Sequence, residues 1–382
     1  MKESQITIVG GGIGGLTAAL ALRRHGFRIQ VVEQATEYKP VGAGITIQIN
    51  AMQALQHIGM AESVAAAGNA LQRLVLRFST GKIIFKTDMA PLIEEFGGQF
   101  IGIHRAKLQE ALACELSPDE LKLGFCVQTV TEVDDRLILT AADGAEITSD
   151  AVIGADGLHS RVRGHLWGEE TLRYSGLTSW RGILDDPEIT PREEVGEYWG
   201  ASSIFGYVPL GDGKLYWFTT QRTEAGGRND GDPRDALLPI FTKWEGPAKA
   251  LIEKTEPQAI IRTDIYDRPP RFPWGRGRLT LLGDAAHPMM PNLGQGGCQA
   301  IEDGVVLAAT LAAAHQVEPA FRDYEKRRHK RTRQIVRSSR MFSSLAHGNN
   351  FLMRFVRSRI FPFLPTSVRE RQMREIFRFT GH

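Results

Sequence analysis

Cysteine is nearly absent. The three in 382 residues, Cys114, Cys126 and Cys298, lie far apart and form no CxxC pair. That spacing excludes a disulfide framework and a thiolate zinc site, and it fits a reducing compartment. No apolar run reaches the length of a membrane span. Charge of one sign is scarce too, since 46 basic side chains against 44 acidic ones leave a formal charge of +2. That balance is too even to call for a nucleic-acid partner. No signal peptide is visible before the strand-like residues Ile6–Val9, and no repeat or low-complexity linker follows. These absences predict a cytoplasmic protein that needs no metal. What remains is the composition of a globular chain, 42% hydrophobic and 24% charged, long enough for two interlocked cores.

The chain opens on a βαβ pattern. An apolar run at Gln5–Val9 leads into the Gly-rich turn Gly10–Gly15, then a helix from Leu16 to His25 ended by Gly26, then a strand from Phe27 to Val32 closed by Glu33. Ala51–His57 and Arg105–Glu115 read as helices, and Leu71–Phe85 as a hairpin around Ser79–Gly81. A second buried strand, Ala151–Gly154, ends at Ala155-Asp156-Gly157. From there to about Arg268 helical periodicity gives way to alternation, with many Trp and Tyr and a hairpin turn at Gly211–Gly213. Arg278–Leu282 returns to the buried-strand pattern, and two long helices follow, one reaching about Ala314 and one running from Pro319 past Met341. The fold class expected is α/β: a discontinuous Rossmann-like domain over 1–70, 98–170 and 269–346, an inserted mainly β domain over 71–97 and 171–268, and C-terminal helices with a basic, aromatic tail over 347–382.

Three constellations carry chemistry. In the first, Gly10 makes the tight turn, Gly12 lets the backbone approach a pyrophosphate, and Gly15 allows close helix–strand packing, with Ile13 and Gly14 at the helix start. The free N–H groups and dipole of that helix favour phosphate, and Glu33 is placed to accept from ribose hydroxyls. The second is the strand ending in Asp156-Gly157, followed by Ser160 and Arg163. The third is Gly283-Asp284 with His287 and Pro288, then the loop Pro291-Asn-Leu-Gly294-Gln295-Gly296-Gly297 leading into a helix. A glycine loop at a helix start can bring N–H groups and positive dipole to an anionic ring edge without a Cβ in the way.

These three motifs, in this order and covering Ile6 to about Arg340, resemble the single-component FAD-dependent aromatic hydroxylases built like p-hydroxybenzoate hydroxylase, with the salicylate and urate hydroxylase and zeaxanthin epoxidase branch. The resemblance implies a Rossmann-like FAD-binding domain of the glutathione-reductase type, FAD as cofactor and NADPH or NADH as co-substrate. It implies that Gly12 and Gly14 contact the pyrophosphate and that Glu33 binds ribose. Gly42–Ile45, with Gly44 and Ile45 in particular, would lie near the flavin ring. Arg105, followed by Leu108 and Gln109, would hold the ribityl and phosphate region. Val127 would meet adenine through its backbone, Asp156, Gly157 and Arg163 would serve FAD and NAD(P)H, and Asp284 would bind the ribityl chain. Pro291, Gly294, Gln295, Gly296 and Gly297 would face the flavin's pyrimidine edge. One departure stands out: the family's Pro-Asn pair after this loop reads Ile49-Asn50 here.

The implied reaction is reduction of flavin by NAD(P)H, addition of O2 at C4a, and delivery of one oxygen from the hydroperoxide to an aromatic or polycyclic hydrophobic small molecule, in a site kept dry. In the Lys214–Gln221 strand, Tyr216 and Phe218 share one face, Trp217 and Thr219 the other. Tyr216 is the candidate to orient or help deprotonate a phenol-like group. Arg181 either holds an anionic substrate or pairs at the surface. Most aromatics of this domain read as its own core. The urate branch orients its substrate with an arginine at the position that matches Ile204, which turns the expectation away from a polar purine. His287 reads as a structural hydrogen bond. Epoxidation of an alkene and a non-catalytic flavin-binding protein stay open. A halogenase does not fit, because Trp180 is followed by Arg-Gly-Ile-Leu in place of that class's Trp-x-Trp-x-Ile-Pro, and the two later motifs disfavour a NAD-dependent dehydrogenase.

Near the C-terminus, Tyr324–Arg333 reads as a solvated basic helix face. The stretch Phe351–Leu364 interleaves aromatics with arginines and has no acid. It reads either as an interfacial helix giving peripheral membrane contact or as a tail that packs its phenylalanines onto the body.

Overall fold

A computed structural model describes residues 4–39, 43–229, 231–348, 350–363, 365–379 and 381. Its nucleotide half is a five-stranded parallel sheet in the order Leu279–Leu281, Ala151–Gly154, Gln5–Val9, Arg28–Glu33, Leu121–Leu123. The strands Ala151–Gly154 and Leu279–Leu281 are buried at every residue, which is why they read as unbroken apolar runs rather than alternating ones. The chain leaves Gln5–Val9 toward one side of the sheet and later fills the other side with Ala151–Gly154. The switch point, where α/β sheets open a ligand crevice, therefore falls at the end of Gln5–Val9. The three motif loops sit together there: Ala155 N–H donates to Val9 O at 2.8 Å and Leu282 N–H to Gly154 O at 3.0 Å. Helices Ile13–Arg24 and Gly296–Ala313 pack on one face of the sheet, so closely at Gly304 that an added Cβ would lie 2.7 Å from Ala18 N.

A seven-stranded sheet forms the other half, in the order Ile261–Asp267, Arg173–Asp185, Lys214–Arg222, Ser203–Pro209, Glu194–Trp199, Arg73–Phe78, Ile83–Asp88. Its two faces differ. Trp180, Tyr198, Phe205, Tyr207, Leu215 and Trp217 point to one side and form a closed core with Leu237, Phe241, Leu251 and Ile252. Those last four belong to helices Pro233–Phe241 and Ala248–Lys254, two elements that the mainly β reading of this segment passed over. The first is announced by Asp232, whose side chain accepts from Arg234 N–H with Pro233 in the first turn. The other face looks toward the nucleotide half.

The helix Val317–His347 is 31 residues long and spans both halves. Its Tyr324–Arg333 stretch is solvated on one side only, where Lys326, Arg327, Lys330 and Arg333 are exposed. Tyr324, Glu325, Arg328 and Thr332 are buried, on one stripe at helical spacing. Beyond it come helix Phe351–Phe355, a π-helical turn Val356–Ile360, a 3₁₀ turn Phe361–Phe363 and helix Thr366–Phe377. Among the described residues no helix is long and apolar enough to cross a membrane.

Candidate functional site

Each glycine of the first turn has a distinct geometric reason. Gly10 adopts φ +109° and a Cβ there would meet Ala155 O at 2.5 Å. Gly15 packs its helix so close to the strand end that a Cβ would lie 2.0 Å from Gly10 O, whereas a Cβ on Gly12 would meet nothing within 4 Å. Gly12 is also the N-cap of the Ile13–Arg24 helix and offers no side-chain cap. The result is an open helix N-terminus whose unpaired N–H groups and dipole suit a pyrophosphate. Glu33 stands beside it, its carboxylate accepting from Gly11 N–H at 2.7 Å and Ala35 N–H at 2.9 Å. Gln109 donates to Gly11 O at 2.7 Å and steadies the same turn.

The two later motifs hold one another. Arg163 donates to Ala285 O at 3.0 Å and Ala286 O at 3.3 Å, and pairs with Glu170 at 2.6 Å. Asp156 is committed to its own loop: its carboxylate accepts from Ser160 Oγ at 2.5 Å, Arg161 N–H at 2.7 Å and Val162 N–H at 3.1 Å. Its neighbours Ala155 and Gly157, not Asp156, line the cavity described next. The Val127 side chain is buried, at the start of strand Val127–Val133.

A cavity of about 1000 Å³ runs from the Gly12–Gly14 turn to the open face of the seven-stranded sheet. At the nucleotide end its wall includes Gly44, Ile45, Arg105, Asp284, Pro291, Gly294, Gly296 and Gly297. Gly42 lies outside the described residues. Arg105 opens the helix Arg105–Ala113. Burial raises the Asp284 pKa above the ordinary carboxylate value, and the charges of His287 and Arg105 partly offset this. The Gly296–Ala313 helix starts here without a side-chain cap, Gly294 is left-handed, and a Cβ on Gly296 would meet nothing within 4 Å. Glycine backbone, an uncapped helix end, and an Arg and an Asp on one wall fit an FAD isoalloxazine and ribityl chain. Gln295 is the exception. It is fully buried and its amide faces inward, donating to Gln48 Oε1 at 2.5 Å and accepting from Asn50 at 3.1 Å and Gln299 at 2.7 Å. Only its backbone is left for a flavin.

Behind that loop lies a buried charge network that the sequence reading missed. Arg328 pairs with Glu302 through Nη1 and with Asp303 through Nε, the latter at 2.6 Å, and Arg331 reaches Glu302 at 2.7 Å. Asn50 donates to Glu302 at 2.6 Å, and His287 Nε2 lies 2.6 Å from Asp303. Burial pushes both acids up, yet the opposing charges win: Arg328 and Arg331 hold Glu302 below its ordinary value, and His287 and Arg328 bring Asp303 to about 2. His287 thus makes the structural hydrogen bond expected of it. Asn50, kept from the family's Pro-Asn pair, is the hinge of the network. Ile49, in the proline's place, begins the helix Ile49–His57. The available signal was two adjacent acids inside an otherwise apolar helix.

The sheet end of the cavity is built in rows. Across the strands, Leu74, Val195, Val208, Tyr216 and Ile183 lie nearest the flavin loop, where a Cβ on Gly44 would meet Tyr216 Cβ at 2.5 Å and its ring at 2.6 Å. The next row is Leu76, Glu197, Gly206, Phe218 and Arg181, with the Phe218 ring lying over Gly206. The third is Phe78, Trp199, Ile204, Thr220 and Ser179. Tyr216 and Arg181 therefore share one face. Burial raises the Tyr216 pKa and the Arg181 charge opposes that rise, so the hydroxyl keeps its proton at neutral pH. Arg181 donates to Ser179 Oγ at 3.3 Å and has no carboxylate partner among the described residues. Trp180, Tyr198, Phe205, Tyr207 and Trp217 are core, as expected of most of these aromatics. The C-terminal elements roof the cavity: the Phe361 ring stacks on Trp199 at 5.5 Å and meets Phe85 at 6.0 Å and Phe342 at 6.2 Å.

Comparison with known proteins agrees with this geometry. The FAD binding domain family matches residues 3–339. The chain is 41% identical to an aurachin C monooxygenase/isomerase of Stigmatella aurantiaca over 98% of each protein. It is 34% identical to a FAD-dependent urate hydroxylase of Klebsiella pneumoniae over 90% of each. The crystal structure of Klebsiella pneumoniae HpxO complexed with FAD and uric acid superposes with a TM-score of 0.92 at 30% identity, covering 98% of this chain and 96% of that one.

Proposed function

The chain belongs to the FAD binding domain family, among FAD-dependent aromatic monooxygenases that use NAD(P)H and O2, and on that footing we propose that its own substrate is a largely apolar aromatic or polycyclic molecule that it hydroxylates. The observation that carries this reading is the wall opposite the flavin loop. Its apolar surface is made of Leu74, Leu76, Val195, Ile204, Val208 and Phe218, around the polar groups of Ser179, Arg181, Glu197, Tyr216 and Thr220. Ile204 stands on it where the urate branch is expected to use an arginine, so a purine would leave its polar edge unpaired against hydrocarbon.

Bound FAD supplies electron transfer from NAD(P)H and activation of O2. The residues of this chain hold and shield. Gly12, Ile13, Gly14 and the helix behind them bind the pyrophosphate, Glu33 the ribose, and Arg105 and Asp284 the ribityl region. Gly44, Ile45, Pro291, Gly294, Gly296 and Gly297 border the ring. The Tyr216 hydroxyl donates to and orients a substrate oxygen, and Arg181 stabilises negative charge that develops there. The division into a nucleotide part over 1–70, 98–170 and 269–346 and a substrate part over 71–97 and 171–268 belongs to the same reading. The test is FAD-loaded protein turned over with NADH or NADPH and a panel of alkylquinolones, phenols, polyenes and urate. The expected result is stimulated oxidation and a product with one added oxygen from a hydrophobic aromatic. A colourless protein that takes up no FAD, or turnover of urate alone, overturns the reading, and oxygen transfer to a polyene moves it to epoxidation.

A lipophilic substrate of this kind partitions into membrane, and the cavity roof faces outward with matching chemistry. Phe351 is 86% exposed and Phe363 77%, Leu352, Phe355 and Ile360 are exposed beside them, and Arg354 and Arg359 bring positive charge with no acid in the stretch. The buried Arg357 anchors the segment through Ala346 O at 2.7 Å and Ala201 O at 2.9 Å. The face thus suits an anionic bilayer surface. Wild type is expected to float with vesicles rich in phosphatidylserine and the Phe351→Ser, Phe355→Ser, Phe363→Ser variant to stay behind. Equal recovery of both in the soluble fraction overturns it.

A further inference from the structure

Glu197 is an acid with no basic partner among the described residues. It lies in strand Glu194–Trp199 and opens onto the cavity in the middle row of the wall, between Leu76 on one side and Gly206 on the other. One carboxyl oxygen accepts from the Trp199 indole N–H. The second has no hydrogen-bond partner among the described residues, and the residue lines the cavity. Phe218 lies over the glycine beside it, so the ground between Glu197 and Arg181, three strand spacings or about 14 Å, is an aromatic floor.

We propose that Glu197 is a specificity-determining residue that donates a hydrogen bond to a neutral acceptor oxygen, a carbonyl or N-oxide, on an otherwise apolar aromatic substrate. The proposal rests on the substrate reading above. An acid is an expensive way to satisfy one indole N–H in an apolar wall, where an uncharged acceptor would serve. What an acid adds is an O–H that can be presented to a ligand once its other oxygen is occupied. Its surroundings support that form. Burial, opposed only by the Trp199 hydrogen bond, moves its pKa up to about 7. The other charged and titratable groups on the cavity wall are Arg181, Arg369 on the Thr366–Phe377 helix, Tyr216 across the sheet, and Arg105 and Asp284 at the nucleotide end. None of them pairs with Glu197. The elements packed directly on it offer Leu76, Gly206 and the Phe361–Trp199 stack, which do not titrate.

The sign follows. The protonated acid donates, so recognition of an acceptor is present below the shifted pKa and fades as the pH rises through it. The test uses full-length, FAD-loaded protein and two probes, 2-heptyl-4-quinolone and the same alkylquinoline without the oxygen, with binding read from perturbation of the flavin absorbance. Wild type is expected to prefer the quinolone by about tenfold, the size of one such hydrogen bond, and to lose that preference above neutral pH. Glu197→Gln keeps a donor and should keep the preference at every pH. Glu197→Leu should bind both probes alike. A leucine variant that still prefers the quinolone overturns the proposal while leaving the substrate reading intact. A wild-type flavin that neither probe perturbs overturns both.

Discussion

Arg328→Met is expected to lower the stability of the fold by about 3–5 kcal/mol, because it removes the cation that two buried carboxylates share. Glu302 and Asp303 are fully buried and adjacent on the Gly296–Ala313 helix, and Arg328 contacts both. After the substitution Glu302 keeps Arg331 and Asn50, but Asp303 keeps only the His287 ring and the Gly283 N–H at 2.9 Å. Two like charges in one low-dielectric place repel strongly. The neighbouring Arg327 is the control. Its pair with Asp323 at 2.8 Å is half exposed, so Arg327→Met should cost no more than about 1 kcal/mol. Urea unfolding read by circular dichroism compares the two. If Arg328→Met unfolds at the same urea concentration as wild type, the network does not support the fold. The triple change Glu302→Gln, Asp303→Asn, Arg328→Met should recover part of the loss, since it removes the stranded charge along with its partner. The loss also has a local target. Asn50 and Gln299 donate to Glu302 and also hold Gln295 in the Gly294–Gly297 loop, so flavin affinity should fall in the single variant before the fold itself does.

Residues whose reason is local were legible in the sequence. Gly10, Gly12 and Gly15 are separated by one and two residues, and each is required by backbone geometry within the same turn. The strands Ala151–Gly154 and Leu279–Leu281 carry their burial in their composition. What escaped was chemistry assembled across distance. Arg328 looked like one more charge on a solvated helix because its acids lie 25 and 26 residues upstream and nothing near it in the chain announces them. Gln295 sat in the right loop with its side chain pointing the wrong way, a matter of which neighbour wins the amide. Asp156 spends its oxygens on the helix start that it precedes. On the sheet, alternation correctly separated Tyr216 and Phe218 from Trp217, but period two does not say which face is wet. That choice is made by helices Pro233–Phe241 and Ala248–Lys254, which cover the Trp217 face and leave the other for the cavity. Glu197 was invisible for the same reason: its strand position becomes informative only when the covered face is known.

Phe361→Ala is expected to uncouple the enzyme, cutting product formed per NAD(P)H by roughly tenfold while the oxidation of NAD(P)H continues. The Phe361 ring closes the cavity between sheet and solvent. It lies nearly parallel to Trp199, at 11°, and meets Phe85 and Phe342 edge-on. Ile360 beside it is already 46% exposed, so one missing ring connects the apolar wall to bulk water. In this chemistry oxygen transfer competes with release of hydrogen peroxide, and exclusion of water decides between them. A tenfold shift in that ratio needs only about 1.4 kcal/mol, less than the roughly 2–5 kcal/mol that removal of a large core side chain commonly costs. Flavin binding should be nearly unchanged, because the glycine turns, Arg105 and Asp284 lie at the other end of the cavity. That separates the roof from the cofactor site in one preparation, with FAD content from the absorbance spectrum, and product and peroxide measured from the same turnover. Phe351→Ala removes an equal ring that is almost fully exposed, and should leave the ratio where it was. If both variants couple as wild type does, water is excluded elsewhere and the C-terminal turn is only a cover. If Phe361→Ala alone leaks peroxide, the tail is part of the active site, and the aromatic stack on Trp199 also steadies the residue that holds Glu197 in the wall.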